Sequence, residues 1–179
     1  MYNKRTFVGI AAAALLAACS NVTDIDRANK DTGPLKLNAV NVDTSAMTIV
    51  SEGRTVNRTK AQLASDLRAA ITREAQSYSN PNGLPADVNV TVEKLHLATI
   101  VDRVVAGTSY VESTISVVDA ADGSVIIAPT KVKGNEETLR GFGSLGAAGA
   151  VQNASVETDY KNAIDGYAKA LIASIAASQ

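Results

Sequence analysis

The sequence predicts an α+β domain in which an antiparallel sheet of about four strands is covered on one face by two amphipathic helices. Short runs with apolar residues at every second position indicate half-buried strands, and two longer stretches with apolar residues every three or four positions indicate helices. Along residues 34–179 these stretches follow one another in the order β-α-β-β-β-α. That order is typical of a single domain whose helices pack together on one side of the sheet.

The first strand and the first helix are separated by a clear change of period. Apolar residues alternate from Leu35 and change phase at Val40, which predicts a strand with a bulge or bend, and residues 46–50 continue it after a break. Thr59 and Gln62 fit a capping box, so a helix of about twenty residues is predicted to begin there. Its apolar stripe consists of Leu63, Leu67, Ala70, Ile71, Ala75 and Tyr78.

A strand with its own irregularity follows this helix. Valines alternate with polar residues over 88–92, and the apolar set resumes at Leu95 in the opposite phase. One extra residue near position 93 or 94 produces such a change, so we expect a bulge that keeps both sets on the core face and turns His96 outward. Gly107 and its neighbours are predicted to form the next hairpin turn.

The last two strands form a hairpin. Val111, Ile115 and Val117 predict one buried face, and residues 121–123 give a strong turn signal. The returning strand is predicted over residues 125–132, where Pro129 indicates an edge or bulged strand because proline cannot donate to the ladder.

The final stretch combines a glycine-rich segment with a second helix. Residues 134–151 contain five glycines and few branched side chains, which predicts a Gly/Ala-rich loop. The helical period returns from Ser155 and continues nearly to the end of the chain. Its apolar stripe consists of Tyr160, Ile164, Tyr167, Leu171 and Ile175. The charged residues expected on the opposite, solvent side are Asp159, Lys161, Asp165 and Lys169.

The first residues have the pattern of an exported protein. A short cationic start is followed by an uncharged run over residues 7–18, and Cys19 is the single cysteine of the chain. About twenty apolar residues are needed to span a membrane, so residues 1–18 are predicted to be a cleaved signal peptide. Residues 19–33 are then a lipidated cysteine and a flexible polar tether, and 34–179 are the folded domain.

Residues 16–19, with the sequence LAAC, resemble a bacterial lipobox. The resemblance implies that a diacylglyceryl group is attached to the Cys19 thiol, that the new amino terminus is acylated in a Gram-negative cell, and that Ser20 directs the protein to the outer membrane. Two or more acyl chains give firm anchoring where one holds only marginally. The alternative is an ordinary secretory leader with an incidental cysteine.

Charge and cysteine content limit the partners and the chemistry. The leader removes two of the 17 basic residues, which leaves 15 against 18 acidic residues and a formal charge of about −3. Nucleic acid is therefore not an expected partner, because no basic stripe is available for phosphates. With Cys19 lipidated, no thiol remains for a disulfide or a redox pair.

The order of elements adds a second, domain-level resemblance. A lipobox, a polar tether and this strand and helix order are similar to several families of small Gram-negative envelope lipoproteins, many of them uncharacterised. The curli-secretion lipoprotein and the N-terminal domain of the Tol-system β-propeller protein share a related arrangement. The pattern identifies no site residue in those families that corresponds to one in this chain.

Two motifs suggest chemistry but lack the necessary context. Residues 141–146 match G-x-G-x-x-G, yet no βαβ unit surrounds them, so a flexible loop or packing segment is the favoured interpretation over nucleotide binding. His96 is the only histidine and Glu93 lies three residues away, but a lone strand histidine is usually structural or solvent-facing. We therefore expect no catalytic residues, no metal site and no cofactor.

The sequence leaves two functional classes open. The favoured one is a non-catalytic interaction or assembly module of the cell envelope, anchored by its lipid and bound to an envelope protein or to further copies of itself. Phe142, Leu145 and Val151 are then candidates for contact with the partner or the membrane, since glycine makes their backbone easy to bend. The other class is a periplasmic small-ligand-binding protein or hydrolase whose site is assembled from residues distant in sequence.

Overall fold

A computed structural model describes residues 33–51, 53–99, 108–135 and 155–178. These residues form one α+β domain with the predicted order of elements and two helices. The strands are β1 (Leu35–Asp43), β2 (Thr48–Val50), β3 (Leu84–His96), β4 (Tyr110–Asp119) and β5 (Val125–Asn135), and the helices are α1 (Lys60–Ala75) and α2 (Val156–Ala177). The predicted fold class is confirmed.

The sheet is mixed rather than wholly antiparallel. Its order is β1-β3-β4-β5, and β2 continues the line of β1 along the same edge of β3. The β3-β4-β5 meander is antiparallel as predicted, but β1 and β2 run parallel to β3. The reason is the intervening helix, because α1 carries the chain back along the sheet and β3 must then start beside the start of β1.

Three irregularities in the strands lie where the sequence predicts them. The register of β1 shifts between Leu37 and Ala39, and that of β3 shifts between Val92 and Lys94. The second shift keeps Val92 and Leu95 both fully buried, so one bulged residue does reconcile the two apolar phases. In β5 the register shifts in the segment containing Pro129, and β5 is an edge strand.

The helix starts are set by their capping residues. The Thr59 hydroxyl accepts from the Gln62 amide at 3.1 Å and the Gln62 side chain accepts from the Thr59 amide at 2.9 Å, which completes the predicted capping box. Ser155 caps α2, because its hydroxyl accepts from the Thr158 amide at 3.1 Å. Helix α1 ends earlier than predicted, at Ala75, and Tyr78 lies beyond it with 48% of its surface exposed.

The core fills the space between the helices and one face of the sheet. Burial alternates strictly along β4, where every second residue is buried. Helix α1 packs on β1, α2 packs on β4 and β5, and the two helices pack on each other. The predicted apolar stripe of α2, from Tyr160 to Ile175, is buried throughout.

The domain has two distinct ends. We call the end where β1 and β3 begin the tether end, since Gly33 lies there, and the opposite end the distal end. Helix α1 runs from the distal end to the tether end, because the residues just after it bond to the start of β1. Helix α2 runs the same way, since side chains pair in the same order along both, from Arg58 with Glu157 to Arg73 with Asp165. The residues that border the distal end are Val50, Thr59, His96, Tyr110, Asn135 and Ser155.

Gly134 belongs to β5 and not to the predicted Gly/Ala-rich loop. A Cβ placed on Gly134 would lie 2.4 Å from the Tyr167 Cα, so glycine is required for the close approach of α2 to the edge strand. The remaining part of the predicted loop, apart from Asn135, lies outside the described residues. So do the predicted signal peptide and residues 19–32 of the tether.

Candidate functional site

A buried ion pair organises the distal end. Arg54, in the loop between β2 and α1, places Nη1 2.6 Å from Oδ2 of Asp159 in the first turn of α2. The same nitrogen donates to the Ala98 carbonyl at 2.6 Å, just after β3. The Asp159 side chain is 1% exposed and that of Arg54 is 20% exposed. One guanidinium therefore connects three chain segments that are distant in sequence.

The prediction that Asp159 faces solvent is wrong. Asp159 precedes Tyr160 of the buried stripe and lies one helical turn before the buried Ala163, so its side chain is turned toward the core edge. A carboxylate in that position requires a cationic partner, because burial of an unpaired charge is costly. Arg54 provides the partner. An acidic residue in the first turn also suits the positive end of the helix dipole.

A second cluster of polar side chains surrounds Arg58. Its guanidinium pairs with Glu157, lies 3.7 Å from Asp66 and sits over the Tyr160 ring at 5.5 Å. The Tyr160 hydroxyl donates to Asp66 at 2.7 Å. Burial, and then the hydrogen bond to Asp66, raise the pKa of Tyr160, so this phenol stays protonated and donates throughout the physiological range.

Ser109 connects the two sides of the segment between β3 and β4. Its buried hydroxyl accepts from the Ala98 amide at 3.0 Å. The Ala98 carbonyl thus accepts a hydrogen bond from Arg54, and the Ala98 amide donates one to Ser109. These contacts hold the chain on both sides of residues 100–107, and Asp159 holds α2 beside it.

These contacts position chain segments relative to one another. Arg54 pairs with the Asp159 carboxylate, and the Tyr160 hydroxyl donates to the Asp66 carboxylate. Both contacts join chain segments that are distant in sequence. Within the ranges that the structure describes, no group of three or more His, Cys, Asp or Glu side chains could hold a metal ion. Among the same residues, no helix is long and apolar enough to cross a membrane.

His96 and Glu93 lie on the open face of the sheet and have separate partners. His96 stacks on Tyr110 with ring centroids 4.8 Å apart, and Lys133 lies 3.7 Å from the centre of the same ring. Glu93 accepts from Thr114 at 2.6 Å and pairs with Lys131 at 3.1 Å. The Thr114 hydrogen bond first, and then Lys131, lower the pKa of Glu93. The contacts of Glu93 are thus polar, whereas His96 stacks on an aromatic ring.

The other predicted site residues lie outside the described residues. They are Cys19, Ser20, Phe142, Leu145 and Val151. Sequence reasoning missed Arg54 and Asp159. The position of Asp159 next to an apolar stripe was an available signal, whereas Arg54 lies in a loop without any period.

A comparison with protein-family models finds no match, and neither does a comparison with curated protein sequences. Similar solved structures include an uncharacterised protein, with 15% identity, 80% of this chain and 89% of that chain covered, and a TM-score of 0.38. A hypothetical protein from Chlamydia trachomatis has 8% identity, coverage of 78% and 97%, and a TM-score of 0.39. A predicted lipoprotein from Caulobacter crescentus CB15 has 11% identity, coverage of 72% and 88%, and a TM-score of 0.31.

These TM-scores are all below 0.5, so the similarities carry no inference about function. None of the three is the curli-secretion lipoprotein or the Tol-system protein, and that resemblance stays a prediction.

Proposed function

We propose that the chain is a lipid-anchored envelope protein that acts as a non-catalytic interaction or assembly module and presents its distal end to a protein partner. The observation that carries this proposal is that the tether joins one end of the domain and the two longest connecting segments join the other. The tether reaches Gly33 at one end of the domain, whereas residues 100–107 and 136–154 are connected to the other end. A partner bound at the distal end would leave the anchored end free to face the membrane.

The anchor is the Cys19 lipid that the lipobox implies, and Ser20 would direct it to the outer membrane. In this proposal the domain faces the periplasm. The tether of residues 20–32 is polar, and as a random coil its ends lie about 20 Å apart. The domain therefore stays near the membrane surface while its distal end points away from it.

The distal end suits partner binding because hydrogen bonds and an ion pair hold together the places from which its two longest connections leave. Arg54, Asp159 and Ser109 fix the positions from which the two segments leave. Phe142, Leu145 and Val151 supply apolar side chains within the longer segment. Binding sites are often built from loops held by such a scaffold.

The alternative of a periplasmic small-ligand-binding protein or hydrolase would need polar groups converging on a pocket. A shallow cleft among the described residues lies at the tether end, and its lining is apolar apart from the Tyr78 and Ser79 side chains. This lining favours the interaction module.

Two experiments test the proposal. Cells expressing the protein are labelled with palmitate, and label is expected on the wild type and absent from Cys19→Ser; an unlabelled wild type would contradict the anchor. Crosslinking in intact cells is then compared for wild type, for Phe142→Ser combined with Leu145→Ser, and for Val125→Ser. Val125 is a matched control because it is 44% exposed at the tether end.

We expect the double variant to lose the crosslinked protein and Val125→Ser to retain it. Equal recovery from the double variant and the wild type would show that the distal segment does not bind the partner.

A further inference from the structure

The two edges of the sheet differ in how far the rest of the domain covers them. At the β1 edge, side chains occupy backbone groups of the strand. The Arg68 side chain donates to the Val40 carbonyl at 3.0 Å, and the Ser79 hydroxyl accepts from the Leu37 amide at 3.1 Å. Backbone groups that are bonded in this way are no longer available to a further strand. The β1 edge is therefore partly closed.

The direction of the backbone groups in β5 follows from its hairpin with β4. The Asp119 amide donates to the Ser124 carbonyl across the turn, so Asp119 directs its backbone groups toward β5. Burial alternates strictly along β4, and Ser113 is in phase with Asp119, so Ser113 faces β5 as well. Its register partner in β5 is Val132. Because directly opposite residues of such a pair bond to each other, Val132 faces β4.

Lys131 and Lys133 flank Val132 and therefore direct their amides and carbonyls away from the sheet. Strand β5 ends the sheet, and within the described residues no backbone group beyond it bonds to either lysine. A row of unpaired amides and carbonyls on an edge strand is a template for a further strand. An extended peptide that adds to such an edge gains main-chain hydrogen bonds, and its side chains determine specificity.

The outermost charges of this edge are positive. The Lys131 side chain is 75% exposed and that of Lys133 is 46% exposed. Their carboxylate partners lie further inside the sheet, Glu93 on β3 and Glu112 on β4. Exposed ion pairs contribute little to stability, and an ammonium group has three donors. Each lysine is therefore able to pair with a second carboxylate on its outer side.

A second copy of this chain is a poor occupant of the β5 edge. Two copies joined through β5 would bring the lysines of one strand beside those of the other, and like charges directly opposite each other are destabilising. The β1 edge of a second copy is partly closed by its own side chains. The charge of β5 favours a different chain with acidic side chains, and it disfavours self-association at the same time.

We infer that the β5 edge binds an extended acidic segment of a partner protein, which adds to the sheet as a further strand. The segment carries Asp or Glu at two alternate positions, beside Lys131 and Lys133, because directly opposite residues share a face of the sheet. This inference rests on the proposed interaction module and names the chemistry of its partner. Because β5 ends at Asn135, which borders the distal end, the edge leads directly to the proposed partner surface.

The residue between the two acidic positions points to the other face, beside Val132. Helix α2 lies over that face, and the Ala170 Cβ is 3.1 Å from a Cβ placed on Gly134. A small or apolar residue fits beside this alanine better than a charged one. The expected pattern of the partner segment is therefore acidic, apolar, acidic.

The probes are two synthetic peptides, acetyl-TVTEVEVT-amide and acetyl-TVTKVKVT-amide, each labelled with the same neutral fluorophore. They have the same length and opposite charge at the two alternate positions. The protein is the mature chain, residues 19–179, which contains the whole described domain. Its variants are Lys131→Glu combined with Lys133→Glu, and Lys131→Gln combined with Lys133→Gln. Lys36→Glu is the matched control, because Lys36 is an exposed lysine on β1 at the other edge.

Fluorescence anisotropy in 0.15 M NaCl measures the affinities. We expect wild type and Lys36→Glu to bind the acidic peptide about tenfold more tightly than the basic one, because two opposite-charge pairs replace two like-charge pairs. The double glutamate variant should show the reverse preference, and the double glutamine variant should bind both peptides alike. Equal binding of the two peptides to wild type, or no binding of either, would overturn the inference.

Amide hydrogen exchange distinguishes strand addition from contact through side chains alone. When the acidic peptide saturates wild type, exchange at the Lys131 and Lys133 amides should slow about tenfold. The Val132 amide, which already faces β4, should change little. Binding without protection of the two lysine amides would contradict the added strand.

Dimers of the chain in light scattering, with both lysine amides protected before any peptide is added, would assign the edge to a second copy and would also overturn the inference. The peptide experiments use no membrane and no cellular partner. Their failure is therefore distinguished from failure of the proposed function, which palmitate labelling and crosslinking in cells test separately.

Discussion

Arg54 Nη1 lies 2.6 Å from Oδ2 of Asp159, and the two residues are joined at the distal end from which the longest connections leave. The pair is asymmetric, since the carboxylate is fully buried and the guanidinium retains 20% exposure. A buried charge of this kind is poor support for extra stability but is effective at fixing one arrangement of segments. Here it fixes the loop before α1, the chain just after β3 and the start of α2.

Loss of the Asp159 charge should be strongly destabilising. Asp159→Asn keeps the shape but removes the buried carboxylate that faces the Arg54 guanidinium, and we expect a loss of about 3 kcal/mol in the free energy of unfolding, because breaking a buried ion pair is strongly destabilising. Urea denaturation of the mature chain measures this value. Hydrogen exchange at the Ala98 amide should accelerate as well, since Arg54, which donates to the Ala98 carbonyl, is no longer held in place by the Asp159 carboxylate.

Asp165→Asn is the matched control. Asp165 pairs with Arg73 at 2.6 Å, but 63% of the Arg73 side chain is exposed. Exposed pairs contribute little, so we expect a change of about 0.5 kcal/mol. Equal effects of the two substitutions would show that the Arg54 pair has no special structural role.

The contact between Gly134 and α2 should not tolerate a side chain. Gly134→Ala would bring Cβ to 2.4 Å from the Tyr167 Cα and 3.0 Å from its nitrogen, and backbone atoms cannot move aside as a flexible side chain can. We expect a loss of about 2 kcal/mol from the resulting displacement of helix and strand. Thermal or urea unfolding measures the loss.

Lys131→Ala, on the same strand with a 75% exposed side chain, should cost less than about 1 kcal/mol. A Gly134→Ala variant as stable as wild type would mean that α2 does not approach β5 so closely.

The buried Tyr167 is expected to make the folded protein less stable at alkaline pH. Burial raises the pKa of Tyr167 well above its ordinary value of about 10, and its hydrogen bond with Ser113 opposes this only in part. The phenol is neutral in both states below pH 10, so stability is unaffected there. Above pH 10 the unfolded chain releases the proton while the folded chain retains it, and stability falls by up to about 1.4 kcal/mol per pH unit.

Tyr167→Phe should be less stable than wild type at neutral pH by about 1 kcal/mol, because Ser113 loses its partner. Its stability should nevertheless decline less steeply between pH 10 and 11. Tyr78→Phe, at an exposed position, serves as the control and should follow the wild-type curve. Parallel curves for Tyr167→Phe and wild type would contradict burial of this hydroxyl.

Much of the fold was predictable because its signals are local. The Thr59 capping box lies within four residues, and the bulge near residue 93 is visible as a change of phase along one strand. The parallel pairing of β1 with β3 was missed because alternation reports which face of a strand is buried and not the direction of its neighbour. Gly134 was placed in a loop because glycine signals a turn and a close approach equally well.

The candidate site was less predictable than the fold. Asp159 and Arg54 are 105 positions apart, and their pairing depends on how α2 lies against the loop before α1. Such a contact leaves no period in a single sequence. Cys19, Phe142, Leu145 and Val151 stay predictions, because they lie outside the described residues.

The central claim is that the tether end faces the membrane and the distal end binds a protein. The most direct measurement is photo-crosslinking in intact cells, with a photoreactive amino acid at position 145 in one variant and at position 78 in another. We predict a discrete protein adduct from position 145 and none from position 78. A protein adduct from position 78, with none from position 145, would contradict the orientation and the proposed function together.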